Sequence, residues 1–262
     1  MQSSLDYVVF TDLDGSLLNH DDYSYEDAKG MIEFLKKNSI PLIIVTSKTK
    51  GEVLRLRELL GIDSPFIVEN GAAIFWEEDG ELKEEVLGVG YKKIREFIES
   101  IKDRYFIKGF RDMSLDEIIA YTGLEPEIAK ISAKREYSEP FIIKDERVLS
   151  EVEKLAEREG LKIMKGGRFY HCMSINQDKG KAVSILIDRY RKENPSVKTI
   201  ALGDNYNDIP MLKEVDIPIL IPRYNRKFID FETDNLKKAC CPGSKGWSEA
   251  LREVFDGSNQ GG

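Results

Sequence analysis

Short apolar runs alternate, over the first third of the chain, with segments whose apolar residues recur at helical spacing. Tyr7-Val-Val-Phe-Thr11, Ile40-Pro-Leu-Ile-Ile-Val45 and Phe66-Ile-Val68 are too apolar and too short for anything but buried strands. Between them, residues 27–37 carry Ala28, Met31, Phe34 and Leu35 as one helical stripe, and residues 52–60 read as a helix with Gly61 just past its end. Strand, helix, strand, helix, strand predicts an α/β fold with a doubly wound parallel sheet covered on both faces. Ligands of such sheets bind beyond the carboxyl ends of the strands.

The middle of the chain has a different rhythm. Residues 73–76 and 81–87 flank Asp79-Gly80, a hairpin signal, and residues 161–165 and 169–174 flank Gly166-Gly167 in the same manner. Between these hairpins lie helical stripes at residues 92–101 and 147–158, a capping box Ser114-Leu-Asp-Glu117 and a helix start at Pro126. This mixture predicts an inserted α+β domain over residues 84–172, leaving residues 1–83 and 173–262 as one discontinuous core. A helix at 179–190 and strands at 197–202 and 216–220 resume the parallel sheet, and the tail at 257–262 is expected to be disordered.

Candidate chemistry gathers at the predicted strand ends. Asp12 and Asp14 close the first strand two residues apart, so the strand period of 2 sends both carboxylates to one side, with Gly15 behind them. Two anions this close call for a hard cation such as Mg2+ between them or a proton on one; the same residues also suit a solvated turn closing a hairpin. The second strand ends at Thr46-Ser47-Lys48, the third at Glu69-Asn70-Gly71, and Thr199-Ile-Ala-Leu202 runs into Gly203-Asp204-Asn205-Tyr206-Asn207-Asp208. Taken singly, Ser47 can be a helix cap, Asp204 and Asp208 turn residues, and Lys179 a first-turn lysine. Together they predict an oxygen-rich metal site beside donors for a phosphate.

Composition narrows the classes. With 39 basic and 47 acidic side chains the net charge is 39 − 47 = −8, which offers no general attraction to nucleic acid or anionic lipid. There is no apolar stretch of the roughly 20 residues a membrane span needs and no signal-peptide pattern, so a cytoplasmic protein without membrane partner is expected. Cys172, Cys240 and Cys241 form no CxxC motif; Cys240-Cys241 is expected to be a buried small pair. No G-x-G-x-x-G follows the first strand, against dinucleotide binding. A phosphoacceptor signalling domain also keeps acids at strand ends but needs no insertion of this size.

Read in order, Asp12-Leu-Asp14-Gly-Ser-Leu-Leu, Thr46-Ser47, Lys179-Gly180 and Gly203-Asp204-Asn205-Tyr206-Asn207-Asp208 resemble the four motifs of the haloacid dehalogenase superfamily of phosphohydrolases. Insertion between the second and third motifs is similar to the class with a large α/β cap. Thr46-Ser-Lys-Thr49, Glu69-Asn-Gly-Ala-Ala73, Arg135-Glu-Tyr-Ser-Glu-Pro-Phe141, Gly167-Arg-Phe-Tyr-His171 and Asp178-Lys-Gly-Lys-Ala182 further resemble the mannosyl-3-phosphoglycerate phosphatases within it.

The resemblance implies a Rossmann-like core with a specificity cap and a Mg2+-dependent phosphatase acting through an aspartyl-phosphate. Its product would be mannosylglycerate, a compatible solute. Asp12 would be the nucleophile and Asp14 the acid and base. Mg2+ would sit on Asp12, the Asp14 backbone carbonyl and Asp204, with Asp208 orienting from behind, while Lys179 and Ser47 serve the phosphoryl oxygens. Ser16 stands where the family more often has threonine. Lys48, Asn70, Arg135, Glu139 and Arg168 are the candidates for the glycerate carboxylate and the sugar, since an arginine fork matches a carboxylate. A plain ion pair is the other reading of Arg135. Glucosyl-3-phosphoglycerate, another sugar phosphate, or phosphomutase chemistry on the same core are the alternatives. His20, His171, Tyr170 and Trp247 are expected to be packing or rim residues.

Overall fold

The computed structural model describes residues 6–166 and 168–258; Gly167 of the expected second hairpin and residues 259–262 of the expected tail lie outside them. The chain begins β1 (Tyr7–Thr11), α1 (Lys29–Lys37), β2 (Leu42–Val45), α2 (Lys50–Leu60), β3 (Phe66–Val68), β4 (Ala73–Glu78) and β5 (Glu81–Val86). It continues with α3 (Tyr91–Tyr105), β6 (Ile107–Gly109), α4 (Leu115–Thr122), α5 (Pro126–Ser132), β7 (Ser138–Ile143), α6 (Leu149–Arg158), β8 (Leu161–Lys165) and β9 (Tyr170–Ser174). It closes with α7 (Lys179–Glu193), β10 (Lys198–Gly203), α8 (Ile209–Glu214), β11 (Ile217–Leu220), β12 (Lys237–Lys238) and α9 (Gly243–Ser258).

Strands of the core lie in the order β12-β11-β10-β1-β2-β3-β4-β5, and those of the cap in the order β6-β7-β9-β8. The core strands from β12 to β3 pair in parallel, while the β4–β5 hairpin is an antiparallel edge. Alternation along the strands explains why both faces are covered. Val9, Ile44 and Phe66 point to a cluster shared with α1, α2 and α9, whereas Val8, Phe10, Ile43 and Val45 point to one shared with α7 and α8. The cap sheet is antiparallel throughout and packs Phe141 and Cys172 against Ile94 and Ile98 of α3 and Val152 of α6.

Local signals set the boundaries. Thr49 caps α2 in a reciprocal box with Glu52, and Gly61 ends it in the left-handed region at φ 62°. Pairing of Ala73 with Val86 keeps β5 in the core sheet past residue 84, and β9 keeps the chain in the cap sheet to Ser174, so the crossings fall at residues 87–90 and 175–178. The first helix starts later than its stripe, because residues Glu26–Ala28 form a 3-10 turn. Two outcomes depart from the sequence reading. Gly257 and Ser258 belong to α9, whose Trp247, Leu251, Val254 and Phe255 bury one face in the core. Cys240 is exposed and Cys241 half-buried, with their sulfurs 3.0 Å apart and Glu249 2.6 Å from the Cys240 sulfur; lysine-rich β12 beside them carries no apolar pattern to bury.

Helix α9 also braces the end of β1. The Trp247 indole is fully buried and donates to Thr11 Oγ1 at 2.9 Å, and that hydroxyl donates to the Asp12 carbonyl at 2.7 Å. Trp247→Ala is expected to cost about 3–5 kcal/mol of stability through the cavity it leaves. Urea unfolding should show this as a lower midpoint with an unchanged slope.

Candidate active site

The first strand delivers its carboxylates to the sheet edge by continuing its ladder. Asp12 N–H donates to the Leu202 carbonyl at 2.9 Å, which fixes Asp12 between the ends of β1 and β10. Gly15, at φ 85°, lets the chain turn back where a Cβ would lie 2.7 Å from Asp204 Oδ2. Beyond β10, Asp208 Oδ2 accepts the backbone N–H groups of Asp204 (3.0 Å) and Asn205 (2.9 Å), and Gly203 leaves room for the Asp208 side chain. Lys179, the first residue of α7, is buried and donates to Asp12 Oδ1 at 2.5 Å and Asp208 Oδ1 at 2.6 Å.

Charge is unbalanced here. Among the described residues, the cations paired with Asp12, Asp14 and Asp208 are Lys179 and Lys48, the latter 2.9 Å from Asp14 Oδ1, and Asp204 stands beside them with no ion pair of its own. Burial, then the repulsion of Asp208, pushes Asp12 up to about 7 against the pull of Lys179. Burial and the neighbouring Asp208 and Asp12 push Asp204 up to about 9. For both lysines burial works to lower the pKa, but the facing carboxylates outweigh it and hold each above the ordinary lysine value. Oxygens of Asp12, Asp204 and Asp208 lie within 4.8 Å of one another, and Asp204 Oδ1 is buried with no hydrogen-bond partner among the described residues. An all-oxygen donor set with excess negative charge and an orphaned oxygen fits a hard divalent cation.

Around this cluster opens a cleft of about 1020 Å³ between the strand ends and the cap. Asp12, Asp14, Ser47, Lys48 and Asn70 line its core side, while Arg135 and Arg168 line its cap side. Lys179 and Asp208 stand behind the floor, buried. Asn70 sits in a run of three left-handed residues, Glu69 (φ 45°), Asn70 (φ 60°) and Gly71 (φ 88°); a Cβ on Gly71 would lie 2.0 Å from the Asp178 carbonyl oxygen. Its Oδ1 accepts from Asn207 Nδ2 at 3.1 Å, and its own Nδ2 is buried with no partner among the described residues. Arg168 is exposed and donates to the Thr122 carbonyl at 2.5 Å.

Glu139 does not reach this cleft. It is 0% exposed, and its carboxylate takes the Tyr91 hydroxyl, Arg95 at 2.9 Å and the Arg111 N–H at 3.1 Å. Burial raises its pKa while those donors oppose the rise, so Glu139 ties the cap together and has no free oxygen for a ligand. It lies on β7 four residues from Arg135, and sequence proximity hid this difference in depth. Arg135 is itself buried, paired with Glu69 at 3.3 Å; the ion pair is internal and joins cap to core.

Tyr23 and Tyr224 line the cleft without a sequence signal, beside His20 and His171, which the sequence suggests as packing or rim residues. Tyr23 lies 5.3 Å from the Lys48 ammonium, and His20 stacks on Tyr224 at 5.1 Å with ring planes 10° apart. His171, on β9, also lines the cleft, and burial with the nearby Arg135 pushes it down to about 3, so it is neutral. Glu69 was visible only as a polar residue after β3; its partners are more than sixty positions away.

Residues 9–225 match the haloacid dehalogenase-like hydrolase family, and the chain belongs to it. A glucosyl-3-phosphoglycerate/mannosyl-3-phosphoglycerate phosphatase of Persephonella marina is 48% identical over 266 residues, covering 97% of this chain and 99% of that protein. A mannosyl-3-phosphoglycerate phosphatase of Pyrococcus horikoshii is 33% identical over 231 residues, covering 84% of this chain and 92% of its own length. The fold is shared with Thermoplasma acidophilum 0175 (TM-score 0.71, 21% identity, 96% of this chain and 99% of that one). It is also shared with a haloacid dehalogenase-like hydrolase from Bacteroides thetaiotaomicron (TM-score 0.69, 17% identity, 95% and 99%).

Removing the Lys179 charge should expose how much the cluster leans on it. Lys179→Met leaves Asp12 and Asp208 buried without a counter-charge and is expected to destabilise the protein by about 3–5 kcal/mol. Equilibrium unfolding at low divalent-cation concentration checks this.

Proposed function

We propose that the protein is a Mg2+-dependent phosphatase that releases inorganic phosphate from mannosyl-3-phosphoglycerate, forming mannosylglycerate, and that it works in the cytoplasm. The observation that carries the reaction class is Asp12 on the cleft floor, held by Lys179 beside Asp204 and Asp208. Support for the substrate comes from the Persephonella relative, named for both the glucosyl and the mannosyl ester and alike over nearly the whole of both chains, and from the Pyrococcus horikoshii relative, named for the mannosyl ester. The cationic lining of Lys48 and Arg168 suits an ester that also carries a carboxylate.

In this reading Asp12 attacks phosphorus, the P–O bond to the ester oxygen breaks, and Asp14 gives its proton to the leaving alkoxide. Water then attacks the aspartyl-phosphate, Asp14 takes a proton from it, and the P–O bond to Asp12 breaks, releasing phosphate and regenerating the Asp12 carboxylate and the protonated Asp14. Ser47 donates a hydrogen bond to a phosphoryl oxygen, and Lys179 sets the orientation of Asp12 and offsets negative charge at the floor. Lys48, paired with Asp14, holds that carboxyl toward the cleft. Asp12, the Asp14 carbonyl and Asp204 would hold Mg2+, with Asp208 fixing the surrounding loop; the ion supplies charge neutralisation for the phosphoryl group. Asn70 and Arg168 are the proposed contacts for the glycerate and sugar portions.

Asp12→Asn should abolish turnover, by at least about a thousandfold, while the circular dichroism and thermal midpoint stay close to wild type. Substantial phosphate release from that variant would remove Asp12 from the nucleophile role. Substrate choice is tested by kcat/KM for mannosyl- and glucosyl-3-phosphoglycerate against simple sugar phosphates, with Mg2+ and with chelator. The mannosyl ester should lead, and chelation should stop phosphate release. Equal values for all esters, or a phosphorylated isomer as the product, would overturn the assignment.

A further inference from the structure

Three successive carbonyl oxygens of the loop after β2 are held by hydrogen bonds, and only the middle one is held from the cap. The Thr46 oxygen accepts the Asn70 N–H at 2.8 Å, and the Lys48 oxygen accepts the Glu69 N–H at 3.0 Å. Both donors belong to the core. The Ser47 oxygen accepts Arg135 Nη2 at 2.9 Å. The orientation of the Ser47–Lys48 peptide is therefore completed by a residue of the cap.

Arg135 is aimed by Glu69. The Glu69 side chain is 1% exposed and stands on a left-handed backbone that a non-glycine residue seldom adopts. Its Oε1 accepts the Glu136 N–H at 2.9 Å. Its Oε2 accepts the Tyr137 N–H at 3.2 Å and the Ser138 hydroxyl at 2.6 Å, and lies 3.3 Å from Arg135 Nε. Ser138 Oγ in turn accepts Arg135 Nη2 at 2.7 Å. The return crossing joins the same knot, because Gln177 Nε2 donates to the Glu69 carbonyl at 3.0 Å. One core carboxylate thus gathers cap residues 135–138.

We propose that Glu69 is a positioning residue: it seats the cap segment 135–138 on the core and, through Arg135, sets the Ser47 donor for the phosphoryl group. The proposal rests on the reading of Asp12 as nucleophile and Ser47 as phosphoryl donor. It makes Arg135 a part of the phosphoryl site by way of the backbone rather than a contact for the glycerate carboxylate. Cap docking and completion of the site become one event, which ties chemistry to a seated cap.

Glu69→Gln keeps the side-chain volume and one acceptor oxygen, for either the Glu136 or the Tyr137 N–H, while removing the charge that orients Arg135. It is expected to lower kcat about tenfold or more with KM changed by less than about threefold, and to do so alike for mannosyl-3-phosphoglycerate and for p-nitrophenyl phosphate. Arg135→Gln should behave in the same way, and serves as the second variant if Glu69→Gln does not fold. Combined with Ser47→Ala, either change should add no further loss, because both act through Ser47. The proposal is overturned if the folded variants keep kcat within twofold, if losses multiply in the combined variant, or if only the glycosylated ester is affected. Wild-type enzyme that releases phosphate from neither ester would instead remove the phosphatase reading itself, and that control separates the two failures.

Discussion

One buried ammonium organises the carboxyl end of the sheet. Lys179 is shared between Asp12 and Asp208, and without it the acids delivered by β1 and β10 would repel one another in a poorly solvated place. Much of the local architecture serves to put that ammonium there. Asp178 caps α7 by accepting the Lys181 N–H at 2.8 Å, and Gly180 has no side chain where a Cβ would lie 2.6 Å from the Pro210 carbonyl oxygen. The helix can consequently begin deep against α8, with its first side chain under the strand ends rather than outside them.

Even so, the cluster retains excess negative charge. Asp12 and Asp204 are both displaced upward by burial and then by the repulsion of Asp208, which spends its second oxygen on the loop that carries Asp204. Such an arrangement is costly as it stands and suits an added hard cation and an anionic phosphoryl group that arrive together. The core thereby accounts for reaction class, while the cap closes the other side of the cleft with basic side chains. Glu69 joins the two layers: its backbone N–H meets the Lys48 carbonyl of the core, and its carboxylate meets Glu136 and Arg135 of the cap.

Legibility in the sequence followed the range of the interactions. The alternation of strand and helix in the core was plain because a parallel sheet buried on both faces demands short continuous apolar runs, and Val8 to Phe10, Leu42 to Val45 and Phe66 to Val68 supply them. The crossing points were less plain: β5 reads as charged edge strand, and nothing in Glu84-Glu85-Val86 says which sheet it joins. Glu139 shows the same limit at the site. Arg135 and Pro140 line the cleft, whereas the Glu139 carboxylate is consumed by Tyr91 and Arg95 from a helix far upstream.

By itself the sequence determined the α/β core, the placing of Asp12, Asp14, Ser47, Asp204 and Asp208 after strands, and the chemistry those residue types permit together. These follow from period, strand length and side-chain chemistry, all properties of contiguous residues. Only the tertiary structure decided which polar side chains face the cleft and which are spent holding it in shape. Lys179 lies 167 positions from Asp12, and Glu69 lies 69 from Ser138. Whether a carboxylate or guanidinium is free or already satisfied is set by partners that the chain brings close only when it folds.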